Sequence, residues 1–182
     1  MIDLKKQLEQ EETKYEIGGR GNSFKFEKGL NTFRILTNWE TIGQHTLGKN
    51  VMPVVCYGEN EGCPYHGENT PIDEEGKPLK VRPRFLVYIL DRKDDKVKLA
   101  FLPYTIIKSI SDLSADPDWA FEDFPIPYDI KVTYDPEKSG KDIYSVIASP
   151  KRSEVSLEVL SELEEIDALL EIKERIIAKA KK

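Results

Sequence analysis

Apolar and polar positions change their period along this chain more than once. Ile2, Leu4, Leu8 and Tyr15 form a thin apolar stripe that predicts a helix over residues 2–16. The run GGRGN at 18–22 interrupts it and reads as a flexible hinge. The pattern then alternates. FKFEKG is short and strand-like, and LNTFRILTNW places Phe33, Ile35 and Trp39 on alternate positions. VMPVVCYG is another strand-like run, whereas the polar ENTPIDEEGKPLKVRP predicts a long exposed loop. RFLVYILDR is the strongest strand, and VKLAFLPY returns as its hairpin partner after the DDK turn. Ile106, Ile107, Ile110 and Leu113 have helical spacing, ADPDWAFEDFPIPY is irregular, and YDIKVTYDPEKSGKDIYSVIASP reads as a hairpin around PEKSGK.

The middle of the chain is therefore five or more strands with one inserted helix, which suggests a barrel or sandwich. Residues 153–182 return to steps of three and four, with Val159, Leu163, Ile166, Leu170 and Ile177 on one stripe. Ser153 or Ser156 can cap this segment, and its acidic residues precede its basic ones, as the helix dipole favours. The expectation is one long amphipathic helix, packed on its own barrel or offered to a partner or a second copy. The fold class expected is mainly β with flanking helices, that is α+β. Its parts are a helix and hinge over 1–22, a core over 23–152 with a metal-binding subdomain at about 43–80, and the C-terminal helix over 153–182.

Composition narrows this only a little. Of 182 residues 39% are hydrophobic and 33% charged, as in a soluble globular protein. No run approaches the roughly 18–20 apolar residues of a membrane span, and MIDLKKQLEQEETKY lacks the apolar core of a signal peptide. The expected compartment is the cytoplasm, where two cysteines do not form a structural disulfide. A net charge of −6 argues against a simple basic nucleic-acid binder. The acid, however, is concentrated toward the C-terminus, and residues 24–104 are close to neutral.

Soft metal ligands alter the picture more. Both cysteines and both histidines fall between His45 and His66, in the spacing His45-x10-Cys56-x6-Cys63-x2-His66. Cys63-Pro-Tyr-His66 is a two-residue chelate loop, and a closed set of two thiolates and two imidazoles is a structural Zn2+ site. Cys56 after Pro-Val-Val can also be read as a buried strand residue that shares the window by chance. Catalytic zinc would need an open position and a carboxylate base, and neither H-x-E with P-C-x-x-C nor H-E-x-x-H occurs. No P-loop, dinucleotide fingerprint or G-x-S-x-G is present, so no enzyme is expected.

The segment 77–104 interleaves cations with aromatics. Lys80, Arg82 and Arg84 occupy alternate positions, on one face of a strand, and lead into Phe85 and Tyr88. Such a surface suits single-stranded nucleic acid, with cations on phosphates and rings under bases. Phe85 and Tyr88 are three residues apart and point to opposite faces, so at least one belongs to the core.

Taken in order, SFKFEKGLNTFRILTNW, the His–Cys–Cys-Pro-x-ligand set, KVRPRFLVYILDR, KLAFLPYTIIKSI and SPKR at 149–152 resemble the phage single-stranded DNA-binding proteins of the T-even type, the helix-destabilising replication proteins. The resemblance spans roughly 23–152. It implies an OB-fold-like Greek-key barrel with a small zinc subdomain, and binding of single-stranded DNA with little sequence preference in replication, recombination or repair. It maps the zinc ligands onto His45, Cys56, Cys63 and His66, and a DNA cleft onto Arg34, Lys80, Arg82, Arg84, Tyr88 and Tyr104. There are departures. The family's last ligand is usually cysteine, its N-terminus is basic, and it ends in a long acidic, Ser-rich tail. Here the last ligand is His66, residues 1–16 are mildly acidic, and a helical segment stands at the end and could recruit replication proteins. The alternative function is a zinc-stabilised protein-interaction module acting through that C-terminal helix.

Overall fold

In the structure, a computed structural model, residues 23–48 and 51–182 are described. They form β1 (Gly29–Ile35), β2 (Glu40–His45), β3 (Val54–Cys56), β4 (Arg82–Asp91), β5 (Lys96–Pro103), α1 (Tyr104–Ser114), β6 (Tyr128–Tyr134), β7 (Tyr144–Arg152), α2 (Leu157–Glu165) and α3 (Leu169–Ala180). The helix expected over 2–16 and the hinge at 18–22 lie outside the described residues. No described helix is long and apolar enough to cross a membrane.

β4 organises the sheet because both of its faces and both of its edges are used. Phe85, Val87 and Ile89 point into a core with Phe33, Ile35, Ala100, Leu102, Ile130 and Val132. Leu86, Tyr88 and Leu90 point the other way, into a second core with Ile42, Val97 and Ile172. A strand buried on both faces must be apolar almost throughout, which is how its sequence reads. One edge of β4 pairs along its length with β5. The other edge is divided, with Arg82–Leu86 against β2 and Ile89–Asp91 against β1. Beyond these, β3 pairs with β2, β6 with β1, and β7 with β6, all antiparallel.

The result is a seven-stranded antiparallel sheet that stays open. The closed Greek-key barrel that the resemblance implies is not formed among the described residues, because β5 and β7 do not pair. Other chain segments stand between them. Ser23 bridges Leu99 of β5, and the Phe24 amide donates to the Leu99 carbonyl at 2.8 Å. The Phe26 ring then lies 5.2 Å from Tyr144 of β7. α1 also packs against β7 and buries Ile106, Ile107 and Ile110 in the first core.

The C-terminal segment is two helices, not the single long one expected. Ser156 caps α2 by accepting from the Val159 amide, and Ile166 and Ala168 are extended. Asp167 between them holds the break. Its carbonyl accepts from the Tyr88 hydroxyl at 2.9 Å, and its carboxylate pairs with Arg175 at 2.5 Å. The break shifts the phase of the apolar stripe. Val159, Leu163 and Ile166 face the second core as expected, but Leu169, Ile172 and Ile176 follow them, and Leu170 is left 52% exposed.

Candidate metal centre and its cationic neighbour

The four soft donors come from three short pieces of backbone. His45 ends β2 and Cys56 ends β3, which is registered against it through Gly43↔Cys56 and His45↔Val54. Cys63 and His66 sit on the loop that follows. A one-turn 3-10 helix over Glu59–Glu61 is closed by Gly62 at φ +81, a conformation in which a side chain would be strained. Gly58, at φ +99, accepts the Cys63 amide on its carbonyl at 3.1 Å. Those two turns fold the loop back so that Cys63 faces His45.

The donor atoms of His45, Cys56, Cys63 and His66 all lie within 4.8 Å of one another. Cys56 Sγ is 3.2 Å from His66 Nε2, and Cys63 Sγ is 3.4 Å from His45 Nε2. Tetrahedral bonds of about 2.3 Å to sulfur and about 2.0–2.1 Å to nitrogen place neighbouring donors about 3.3–3.8 Å apart. The set therefore has the dimensions to hold one metal ion.

Burial supports the same conclusion. His45 and Cys63 are buried, and Cys56 and His66 are half-buried. His45 Nδ1 is the one buried side-chain nitrogen or oxygen, among the described residues, without a hydrogen-bond partner. A metal ion on Nε2, the nitrogen that faces Cys63, would satisfy that side of the ring, and Nδ1 remains without an acceptor. Burial, with the neighbouring His66, lowers the pKa of His45 and keeps the ring neutral, the ligating form. Burial also raises the Cys56 thiol, opposed by the Gly58 amide and reinforced by Cys63. A divalent cation reverses that preference, since a coordinating thiol is deprotonated outright.

Beside this centre runs the strip of cations read from the sequence. Arg82 pairs with Gln44 and Arg84 with Ile42 across the β2–β4 ladder, so both lie on the strand next to the one that ends in His45 but on the Ile42 face of the sheet, opposite to His45. Lys80 and Arg82 are exposed, and Arg84 is half-buried with its Nε donating to Gln44 Oε1 at 3.1 Å. Tyr104, 54% exposed, follows Pro103, which is registered against Arg84. The Arg84 charge is also felt by Tyr144, which stacks on Tyr134 at 5.2 Å. The sequence did not point to Gln44 or to this tyrosine pair.

Two of the cleft residues expected from the resemblance are placed elsewhere. Arg34 is only 1% exposed, paired to Asp129 at 2.7 Å and bonded to the Ser153 hydroxyl at 2.8 Å, so its guanidinium is committed inside the protein. Tyr88 lies under the α2–α3 break and offers no face to a base. No family model, no curated protein and no solved structure matches this chain, and the reading of the site rests on its own geometry.

Proposed function

We propose that the protein binds single-stranded nucleic acid, DNA in the first instance, and that a Zn2+ ion held by His45, Cys56, Cys63 and His66 is a structural crosslink next to the binding strand rather than a catalytic centre. The observation that carries the reading is the placement of three cations. Lys80, Arg82 and Arg84 lie at alternate positions, the first two exposed, and the exposed Tyr104 follows the residue registered against Arg84. Other described cations, Lys25, Lys96 and Lys131 among them, also lack a described carboxylate partner, so it is the clustering of these three beside an exposed ring that suits a single strand. Zinc chemistry supplies a fixed tetrahedral crosslink when bound. It would hold β3 and the following loop against β2, beside the cationic strand. Lys80 and Arg82 then meet phosphates, Arg84 stays oriented by Gln44, and Tyr104 offers a ring to a base.

The competing reading, an interaction module acting through the C-terminal helices, draws on Leu157 and Leu170, which are 81% and 52% exposed. Val159 and Leu163 of the first helix and Leu169, Ile172 and Ile176 of the second are spent on their own sheet.

Fluorescence anisotropy of a labelled oligo-dT of about 20 nucleotides, titrated at two salt concentrations, tests the proposal. Binding should weaken linearly in log K against log salt, and removing one phosphate contact with Arg82→Ala should reduce the slope by about 0.7. No binding at low salt, or a slope untouched by Lys80→Ala and Arg82→Ala together, overturns it in favour of the interaction module.

A further inference from the structure

Two neighbouring strands carry the metal donors on one side and the seat of the C-terminal helices on the other. Residues three apart, or adjacent, on a strand point to opposite faces. On β2, Ile42 lies in the second core with Ile172 of α3, while His45 belongs to the donor set. On β3, Val55 packs into that same core beside Ile176, and the next residue, Cys56, is a donor. β3 is only three residues long and is hydrogen-bonded to β2 alone. α3 packs against both strands.

The end of α3 reaches further, to the metal loop itself. Lys181 Nζ lies 2.8 Å from a carboxylate oxygen of Glu61 and 5.7 Å from the centre of the Tyr57 ring. Tyr57 follows Cys56 directly, and Glu61 stands two residues before Cys63. Each cysteine thus lies within two residues of a contact made by Lys181. The Lys181–Glu61 pair is exposed at 40% and 62%, and such a pair contributes little by itself. The mechanical link is β3, whose position is set by Cys56 on one face and read by α3 on the other.

We propose that metal loading and docking of the C-terminal helices form one coupled equilibrium, with β3 and the loop after it as the latch that holds α3. The proposal rests on the reading of the four donors as a metal site and is independent of nucleic-acid binding. Without the crosslink, β3 loses what fixes it against β2, and α3 loses part of its seat. Release uncovers Leu86, Tyr88, Leu90 and Val97, an apolar surface otherwise covered by the helices. Linkage makes the coupling reciprocal: anything that lifts α3 weakens the metal by the same factor.

Hydrogen exchange on the full chain, loaded with zinc and then stripped with a chelator, tests this. The expected result is joint loss of protection over 57–69 and 169–180 while β1 and β6 stay protected. Opening of 57–69 with 169–180 unchanged overturns the proposal. Should stripping unfold the whole chain, the reciprocal measurement decides. Ile176→Ala, confirmed folded by circular dichroism, should bind zinc about tenfold more weakly in competition with a chromophoric chelator. Normal zinc uptake with unchanged affinity in that variant overturns the coupling alone. A wild-type chain that takes up no zinc overturns the metal reading beneath it.

Discussion

Arg34 of β1 and Asp129 of β6 form an ion pair in which the guanidinium is 1% exposed and the carboxylate 21%. Asp129 also receives Arg92 at 3.1 Å, and Arg34 also donates to the Ser153 carbonyl and hydroxyl. The cluster ties the start of the C-terminal segment to the first and sixth strands. Truncating one partner of such a pair leaves the other charge buried and uncompensated, so Asp129→Ala should cost about 3 kcal/mol in urea denaturation. Arg34→Met, similar in volume and without the charge, should be far milder in stability. On the proposed nucleic-acid reading, neither change should alter the salt slope of binding in protein that remains folded. A folded Arg34→Met variant with a shallower slope would return Arg34 to the binding surface.

Tyr88 sets a pH dependence. Burial, with the nearby Asp167 carboxylate and against the nearby Arg175, pushes its pKa up to about 12. An unfolded phenol titrates near pH 10. The neutral phenol is thus favoured in the folded state. Its contribution is complete below about pH 10 and is lost as pH rises through about 12, amounting to roughly 2–3 kcal/mol across that window. Tyr128 and Tyr144 are also raised, so the informative quantity is the difference between wild type and Tyr88→Phe. The variant should lose about 1 kcal/mol at neutral pH, from the hydrogen bond to Asp167, and fall less steeply between pH 10 and 12. Parallel curves would show that the ring is not held as described.

What the sequence made legible follows the range of the signals. The hairpin β4–β5, the helix α1 and the hairpin β6–β7 are local patterns, and each is found where alternation or helical spacing put it. The donor window was equally local, since four soft ligands in 22 residues leave little choice of geometry. β2 went unrecognised because ETIGQH has a single strong apolar residue, Ile42, whose register partner on β4, Arg84, is far off in the sequence. The burial of Arg34 was hidden for the same reason, its partner lying 95 positions away. The break between α2 and α3 left one trace: Asp167, a poor helix former, inside an otherwise continuous stripe. The open seam of the sheet had no local signature, because it depends on where residues 23–26 and α1 settle.

Gly43 stands between Cys56 of the donor set and Val81, the residue before β4. A Cβ built on it would stand 2.8 Å from Val81 Cγ1 and 3.1 Å from Cys56 Cβ. Overpacking of this kind costs about 1–3 kcal/mol, so Gly43→Ala should lower the unfolding midpoint by that equivalent. It should also weaken metal binding, since Cys56 Cβ, the second atom crowded, belongs to a donor residue. Val81→Ala removes the closer obstacle, and the double variant should recover part of the loss, which a thermodynamic cycle measures. Strict additivity of the two changes would mean that Val81 is not the constraint.

The donor set makes the sharpest demand on substitution. Cys63 and His45 are the buried members, and neither can be replaced by water from outside without opening the wing. Cys63→Ser and His45→Ala should therefore reduce zinc affinity by at least about 100-fold, more than changes to outer-shell partners produce. His66 is half-buried on the two-residue chelate loop, and a thiolate from the same position fits the same tetrahedron. His66→Cys should accordingly retain one equivalent of zinc, with an affinity that falls more steeply as pH drops, because a third thiol must be deprotonated. Thermal unfolding with and without chelator should show the metal stabilising wild type and His66→Cys but leaving Cys63→Ser unaffected. Loss of zinc from His66→Cys, with Cys63→Ser still loading one equivalent, would mean that the ion is held by a different set of atoms than the four described.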